Sequence, residues 1–319
     1  MFRSFFVSLS RATWAQHTIS SWGFARRSAA RFIAGETIAD AIQAVRRLNA
    51  AGINASLDHL GENILNPGDV DSATLEIISI LEEIDRAGIQ SNVSIKLSQI
   101  GLMMDEQLSQ QNLEKILEKA KSLGIFVRVD MEGSDTTERT IQAVRQAFLD
   151  GYENVGVVIQ SYLRRSEKDV ANLISRPVRI RLVKGAYQEP ASIAFPNKAD
   201  VDANYDRLCR MLLEGALAAG APRLSPDGRT PPLAAIATHD LRRINYARQQ
   251  IDKLGLPRDA VEFQMIYGIH RELQTELAAA GYPMRVYVPY GTQWYPYFMR
   301  RLGERPANIW FFLSNYFKH

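Results

Sequence analysis

The stretch FVRVDMEGSDTTERTIQAVRQAFLDGYENVGVVIQ (126–160) predicts one complete repeat of the fold. It opens and closes with short valine-rich runs, 126–131 and 154–160, which are typical of strands buried on both faces. Between them, 136–151 carries apolar residues at three- and four-residue spacing and ends in Gly151, which predicts an amphipathic helix. A strand, a helix and a second strand in this order indicate a parallel βαβ unit.

The same alternation continues along the chain on both sides of this stretch. It predicts eight strands, at 54–60, 92–97, 126–131, 154–160, 178–184, 233–239, 260–266 and 285–290. Two further helices are expected at 72–88 and 110–124, and each ends in a glycine, a residue that tolerates the left-handed cap conformation. Eight such units over about 250 residues match a (β/α)8 barrel. We therefore predict an α/β protein, a TIM-like (β/α)8 barrel with extra N-terminal helices.

A length of 319 residues allows two domains at about 150 residues each, yet one α/β barrel uses the same length. We expect a helical segment over 1–50 that packs on a single catalytic barrel over 51–319. The Pro- and Gly-rich insert at 221–232 is expected to be a surface loop before strand six, at the end opposite the chemistry.

The composition excludes several classes of protein. With 46% hydrophobic residues, 23% charged residues and a net charge of +3, the chain is neither disordered nor a nucleic-acid-binding protein. The single cysteine, Cys209, excludes an intramolecular disulfide and CxxC-type metal sites, and it fits a reducing compartment. No run of about 18 apolar residues is present, so no bilayer-spanning helix is expected.

The first 35 residues carry arginines and no acid. This pattern resembles a transit peptide, and it also fits amphipathic helices that close the bottom of the barrel or rest on a membrane surface. A helix packed on its own domain is the simplest interpretation.

Motif searches leave a cationic pocket as the main functional signal. No HxH or HxxxH pair is present, so no metal site is expected, and GxSxG, GxxxxGK[ST] and GxGxxG are absent as well. In a barrel, catalytic groups lie at the C-terminal ends of the strands. Polar residues occupy seven of these ends: Lys96, Asp130, Gln160, Arg181 with Lys184, His239, Gln264 and Tyr287. The cations in this set, together with Arg300 and Arg301, face the carboxylates of Asp130 and Glu132. Such a cationic pocket suits a carboxylate substrate and a phosphate-bearing cofactor.

Several of these residues also have an alternative interpretation. Lys184 at a strand end would serve a Schiff-base lyase, which is the second hypothesis. Asp130 could be a helix N-cap, and His239 a cap or core residue. The adjacent arginines 300 and 301 could be exposed on the outer ring, because they share one pocket only if their helix crosses the barrel mouth. A third hypothesis is a non-catalytic protein that binds a membrane surface or a partner through its N-terminal helices.

Seven motifs, read together and in order, resemble those of the proline dehydrogenase family, in particular its short single-function bacterial members. They are SIKLSQIGL (94–102), VRVDME (127–132), VGVVIQSYLRRS (155–166), RLVKGAYQEP (181–190), IATHD (236–240), EFQMIYGI (262–269) and VYVPYGTQWYPYFMRRLGERPAN (286–308). One departure is Gly133 with Ser134, where members of the family often carry a second acid after DME.

The resemblance implies a distorted (β/α)8 barrel that binds FAD. It implies the first step of proline catabolism: oxidation of L-proline to Δ1-pyrroline-5-carboxylate by hydride transfer to flavin N5, with electrons passed to a membrane quinone. We expect no aldehyde dehydrogenase domain in this chain. A separate pyrroline-5-carboxylate (glutamate semialdehyde) dehydrogenase would then catalyse the next oxidation. The implied location is a bacterial cytoplasm with peripheral contact at the inner membrane, and the N-terminal composition leaves a mitochondrial matrix open.

The resemblance also implies a role for each matching position. Asp130 and Arg181 would be catalytic, and Lys96, Tyr287, Arg300 and Arg301 would bind the substrate. The flavin-contacting positions would be Met131, Gln160, Arg181, Lys184, Gly185, Ala186, Thr238 and His239.

Overall fold

The computed structural model describes residues 29–61 and 66–304. Its centre is a closed barrel of parallel strands in sequence order. The strands are β1 (Asn54–His59), β2 (Ser91–Ile95), β3 (Val127–Val129), β4 (Val155–Gln160), β5 (Arg179–Val183), β6 (Ala234–Ala237), β7 (Val261–Ile266) and β8 (Met284–Tyr290). All the predicted strands are therefore confirmed, and β8 closes the ring on β1 from Asn54↔Arg285 to His59↔Tyr290.

Helices surround this barrel. Within the described ranges they are α1 (Ile38–Ala50), α2 (Pro67–Ala87), α3 (Glu106–Ser122), α4 (Ser134–Leu149), α5 (Ser166–Ile174), α6 (Lys198–Ala218), α7 (Leu241–Leu254), α8 (Arg271–Ala279) and α9 (Trp294–Glu304). Gly88, Gly124 and Gly151 follow α2, α3 and α4 with φ of 62°, 66° and 91°, as the sequence predicts. In this part of the chain, no helix is long and apolar enough to cross a membrane.

The barrel core is apolar, as expected for strands covered on both faces. Val93, Val127, Val157, Ile180 and Val286 are almost completely buried. Along each strand, side chains point alternately into the barrel and toward the helices. Inward-facing side chains near the C-terminal end of a strand can therefore reach the mouth of the barrel. This period places polar groups such as Asp130 and Gln160 inside the barrel.

The described part of the N-terminal segment lies at the barrel mouth, so for these residues the alternative of helices that close the bottom of the barrel is wrong. The backbone N–H of Ala34 donates to the carbonyl of Pro289 at the end of β8, at 2.9 Å. The Phe32 ring lies 6.3 Å from that of Phe298 on α9. Contact with α9 buries Phe32, which is 2% exposed. The predictions for residues 1–28 fall outside the described residues.

The insert at 221–232 lies at the N-terminal end of the strands, as predicted, but it is only partly a surface loop. Gly228 is buried, and its carbonyl accepts a hydrogen bond from Nη2 of Arg285 at 2.7 Å. The Arg229 guanidinium donates to the carbonyl of Leu123 at 3.2 Å and to Asp85 at 2.9 Å. The insert therefore closes the barrel at the end opposite the mouth.

Candidate active site

One cavity of about 580 Å³ opens at the C-terminal ends of the strands, a size typical of small-molecule and cofactor sites. All the site residues predicted from the sequence line it: Lys96, Asp130, Met131, Gln160, Arg181, Lys184, Gly185, Ala186, Thr238, His239, Tyr287, Arg300 and Arg301. Helix α9 crosses the mouth, because Arg300 and Arg301 reach the same cavity as the strand ends. The exposed-pair interpretation of these arginines is therefore wrong.

Lys96 is a buried cation that is held by a buried acid. Its Nζ donates to Oδ1 of Asp58 at 2.9 Å, and the two residues are 6% and 1% exposed. Burial raises the pKa of Asp58, while the charge of Lys96 pulls this pKa back toward its ordinary value. Asp58 was missed at the sequence level, and its position near the end of β1 was the available signal.

Asp130, Arg181 and Tyr287 form a second cluster across the cavity. Arg181 Nη1 donates to Asp130 Oδ1 at 2.7 Å, and the Tyr287 hydroxyl donates to Asp130 Oδ2 at 2.9 Å. The Arg181 guanidinium also lies 5.4 Å from the centre of the Tyr287 ring. Both oxygens of Asp130 are thus used inside the site. Because Gly133 is the N-cap of α4, the N-cap interpretation of Asp130 is wrong.

Lys184 lies between two carboxylates. Its Nζ donates to Asp202 and, at 2.6 Å, to Asp240. Burial alone would raise the pKa of Asp202, but hydrogen bonds from Lys184 and Lys198 outweigh it and leave the pKa below its ordinary value. Lys184 is thus ion-paired to a carboxylate on each side.

Gly185 follows Lys184 in a conformation that excludes other residues. Its φ is +110°, and an added Cβ would lie 2.2 Å from Cδ1 of Tyr162. The Tyr162 ring therefore packs directly on this backbone and fixes the path of the chain along the cavity. Gly185 and Ala186 both line the cavity.

The remaining predicted positions complete the wall. His239 Nε2 accepts a hydrogen bond from the backbone N–H of Ile266 at 3.0 Å, so His239 joins the ends of β6 and β7 as well as lining the cavity. Gln160 Nε2 donates to the carbonyl of Glu132 at 3.3 Å, while its buried Oε1 has no partner. Glu132 itself accepts from the Ser98 hydroxyl at 2.6 Å and is not among the residues that line the cavity.

The loops that follow β3 and β5 are connected where the sequence departs from the family motif. The backbone N–H of Ser134 donates to Glu189 Oε1 at 2.8 Å, and its hydroxyl donates to Oε2 at 2.5 Å. Ser134 thus fixes one rim of the mouth. Among the described residues, no group of three His, Cys, Asp or Glu side chains is placed to hold a metal ion.

Comparison with known proteins gives the family. The family model described as proline dehydrogenase matches residues 41–312. The chain belongs to the proline dehydrogenase family. Proline dehydrogenase 2 of Bacillus subtilis strain 168 is 39% identical over 310 residues, which cover 97% of this chain and 96% of the relative. Proline dehydrogenase of Deinococcus radiodurans is 43% identical over 294 residues, 91% of this chain and 90% of the relative. The resemblance to short, single-function members is thus confirmed.

Solved structures confirm the fold. The crystal structure of proline utilization A (PutA) from Bdellovibrio bacteriovorus superposes with a TM-score of 0.78 at 24% identity. The match covers 87% of this chain and 32% of that longer chain. The proline dehydrogenase family is an oxidoreductase family, so membership also removes the lyase hypothesis for Lys184.

Proposed function

We propose that this protein is an FAD-dependent proline dehydrogenase that oxidises L-proline to Δ1-pyrroline-5-carboxylate. The observation that carries the proposal is that buried cations, an Asp–Arg–Tyr cluster and a glycine backbone converge on one shared cavity. Family membership supports the substrate, because the relatives with 39% and 43% identity are named for proline.

Lys96, Arg300 and Arg301 are proposed to bind the proline carboxylate. They reach one cavity from β2 and from α9, so an anion between them would be contacted from two sides. Each charge-assisted hydrogen bond of this kind contributes about 1.5–3 kcal/mol. Tyr287 lines the cavity beside Asp130 and would contact the proline ring.

The other half of the cavity fits a flavin. Gln160 offers a buried acceptor oxygen without a partner, Gly185 and Ala186 bring backbone to the cavity wall, and Lys184 provides a cation suited to phosphate. Met131, Ala186, Thr238 and His239 would complete the contacts. FAD supplies a two-electron acceptor that takes a hydride at N5.

Arg181 and Asp130 are proposed as the catalytic residues. Arg181 is 5% exposed and donates to Asp130, so a positive charge is held at the cavity wall, where it would stabilise negative charge that develops on reduction. Asp130 holds both Arg181 and Tyr287, and thereby fixes the orientation of two groups that line the cavity.

We further propose that electrons leave to a membrane quinone and that a separate pyrroline-5-carboxylate dehydrogenase consumes the product. The arginine-rich first 35 residues support a peripheral contact with an anionic membrane surface. Binding to anionic liposomes should weaken in a protein that lacks residues 1–28.

The visible spectrum of the purified protein tests the proposed function. We expect a flavin absorption band that is bleached by anaerobic addition of L-proline. A flavin that is not bleached would retain the cofactor and contradict the substrate. A colourless protein that cannot be reconstituted with FAD would contradict the cofactor and the reaction.

A further inference from the structure

A chain of polar side chains runs through the inside of the barrel, from the cavity toward its closed end. Arg181 Nε donates to Gln264 Oε1 at 2.5 Å, and Gln264 Nε2 donates to Glu262 Oε1 at 2.5 Å. Glu262 in turn accepts from Arg285 Nε at 2.9 Å. Glu262 and Arg285 are both 0% exposed, and neither lines the cavity.

The amide of Gln264 can meet Arg181 in two ways, and only one of them is favourable. The Arg181 Nε–H is a donor and requires the amide oxygen. An ionised Glu262 only accepts, so it binds the amide nitrogen and leaves Oε1 for Arg181. Without that acceptor, the amide could turn its N–H groups toward the guanidinium, and the contact with Arg181 would be lost.

Glu262 itself is fixed from the far end of the barrel. Arg285 Nε contacts both oxygens of Glu262, at 2.9 and 3.0 Å. The Arg285 guanidinium also donates to the carbonyls of Ala55 at 2.6 Å and of Gly228 at 2.7 Å. The carboxylate thus has one position, and that position determines the orientation of the Gln264 amide.

We propose that Glu262 is a positioning residue, which acts through Gln264 to hold Arg181 in the orientation that the reaction needs. The proposal rests on the proposed function, in which Arg181 acts during oxidation of proline. Because Glu262 does not contact the groups proposed to bind the carboxylate, its loss should affect turnover and leave proline binding unchanged.

A double-mutant cycle separates this role from a purely structural one. We expect Glu262→Met, which removes the acceptor, and Gln264→Met each to lower kcat for L-proline by about tenfold, with KM within about twofold of wild type. Since Glu262 acts through Gln264, the double variant should have the kcat of Gln264→Met alone. Multiplied losses of about a hundredfold would show independent roles and overturn the proposal.

Two further measurements, the midpoint potential of the flavin and the unfolding midpoint of the protein, do not depend on turnover. The midpoint potential of the bound flavin should fall in Gln264→Met, because this change removes no charge but no longer holds the Arg181 guanidinium in place. Arg229→Ala is the matched control, since Arg229 also fastens the closed end and makes no contact with Gln264. It should lower the unfolding midpoint and leave kcat and the potential unchanged. Equal losses of kcat in both variants would contradict a positioning role.

A second variant guards against loss of the fold in Glu262→Met. Glu262→Met with Arg285→Met removes the buried pair as a unit, a change that proteins often tolerate. It should also lower kcat by about tenfold with KM unchanged, and wild-type kcat here would overturn the proposal. If wild-type protein binds flavin but is not reduced by L-proline, the proposed function fails. The flavin potential of the double Met variant still tests Glu262, because it should fall although the net charge is unchanged.

Discussion

At the scale of single residues, the clearest prediction concerns the arginine pair. Arg301 reaches the cavity with Lys96 and Arg300, so Arg301→Ala should raise KM for L-proline by about ten- to a hundredfold through loss of one charged contact. Arg301→Lys should lie in between, because lysine keeps the charge without the planar fork. Steady-state kinetics at saturating acceptor would measure both variants.

The control for this prediction is Arg176→Ala. Arg176 is exposed and does not line the cavity, so the KM of this variant for L-proline should equal that of wild type. The visible flavin spectrum should be unchanged in every one of these variants. A wild-type KM in Arg301→Ala would remove Arg301 from the carboxylate site.

The carboxylates around Lys184 predict a pH dependence of stability. Burial raises the pKa of Asp240, but hydrogen bonding and charge from Lys184 outweigh it and leave the pKa below its ordinary value of 3.8. Such a group stabilises the fold fully above pH 3.8, and this stabilisation is lost as pH falls through the folded-state pKa. Asp240→Asn should therefore be less stable than wild type at neutral pH, by about 1–2 kcal/mol.

Asparagine is a suitable replacement, because it can still accept the N-cap hydrogen bond that Asp240 takes from the Arg242 backbone, at 3.0 Å. Urea unfolding between pH 3 and 7 would measure the difference, which should shrink below the ordinary pKa of 3.8. A difference that is independent of pH would assign the loss to packing instead of charge.

Residues of the site were predictable where they stand at strand ends, and not where their role depends on a partner. Lys96 and Arg181 were found because cations are unusual at the end of an apolar strand. Asp58 and Glu262 were missed, because alternation marks them only as inward-facing. Their ion pairs with Lys96 and Arg285 join residues that are far apart in sequence, and no local pattern records such pairing.

At the scale of elements, β-strands were the most predictable part. Apolar runs bounded by glycine-capped helices located every strand, although several were expected to extend beyond their observed ends, as 126–131 does relative to Val127–Val129. Asp130 after β3 and Lys184 after β5 line the cavity just beyond the observed strand ends, and local composition does not mark where the strand stops. The insert at 221–232 was harder to predict, because its burial depends on the hydrogen bond from Arg285.

The β4–β5 pairing predicts a strong effect of one methyl group. Gly156 faces the barrel interior, and an added Cβ would lie 2.4 Å from the carbonyl oxygen of Arg179 and 2.8 Å from Arg128 Nη1. Because the first of these is backbone, the two strands would have to separate. Gly156→Ala should cost on the order of 3 kcal/mol in the free energy of unfolding.

Gly68→Ala is the matched control, since Gly68 lies in α2 and its added Cβ would only touch Asn66 Oδ1 at 3.5 Å. Alanine is favoured within a helix, so this variant should be neutral or slightly more stable, by up to about 1 kcal/mol. Chemical denaturation of both proteins gives the comparison. Equal stability of the two variants would show that β4 and β5 can adjust at Gly156.

At the scale of the whole molecule, closure of the ring makes each helix depend on the barrel beneath it. β8 pairs with β1 along the length of both strands, so the described barrel has no free sheet edge. Helix α6 contributes Tyr205, Leu208, Cys209 and Leu212 to the same apolar core that contains Val157 and Ile180. Exposure of this buried face of α6 to solvent should therefore require that much of the barrel opens.

Cys209 reports that opening directly. It is 0% exposed, and burial raises the pKa of its thiol, so both access and thiolate formation are suppressed in the native state. A disulfide reagent such as DTNB at pH 8 should leave native protein unlabelled over minutes and modify one thiol at once in guanidinium chloride, because the chain has one cysteine. If α6 exposes Cys209 only when the barrel opens, Gly156→Ala should accelerate native-state labelling in proportion to its lost stability, whereas Gly68→Ala should not. Labelling that is fast in native protein and equal in all variants would show instead that α6 detaches locally from an intact barrel.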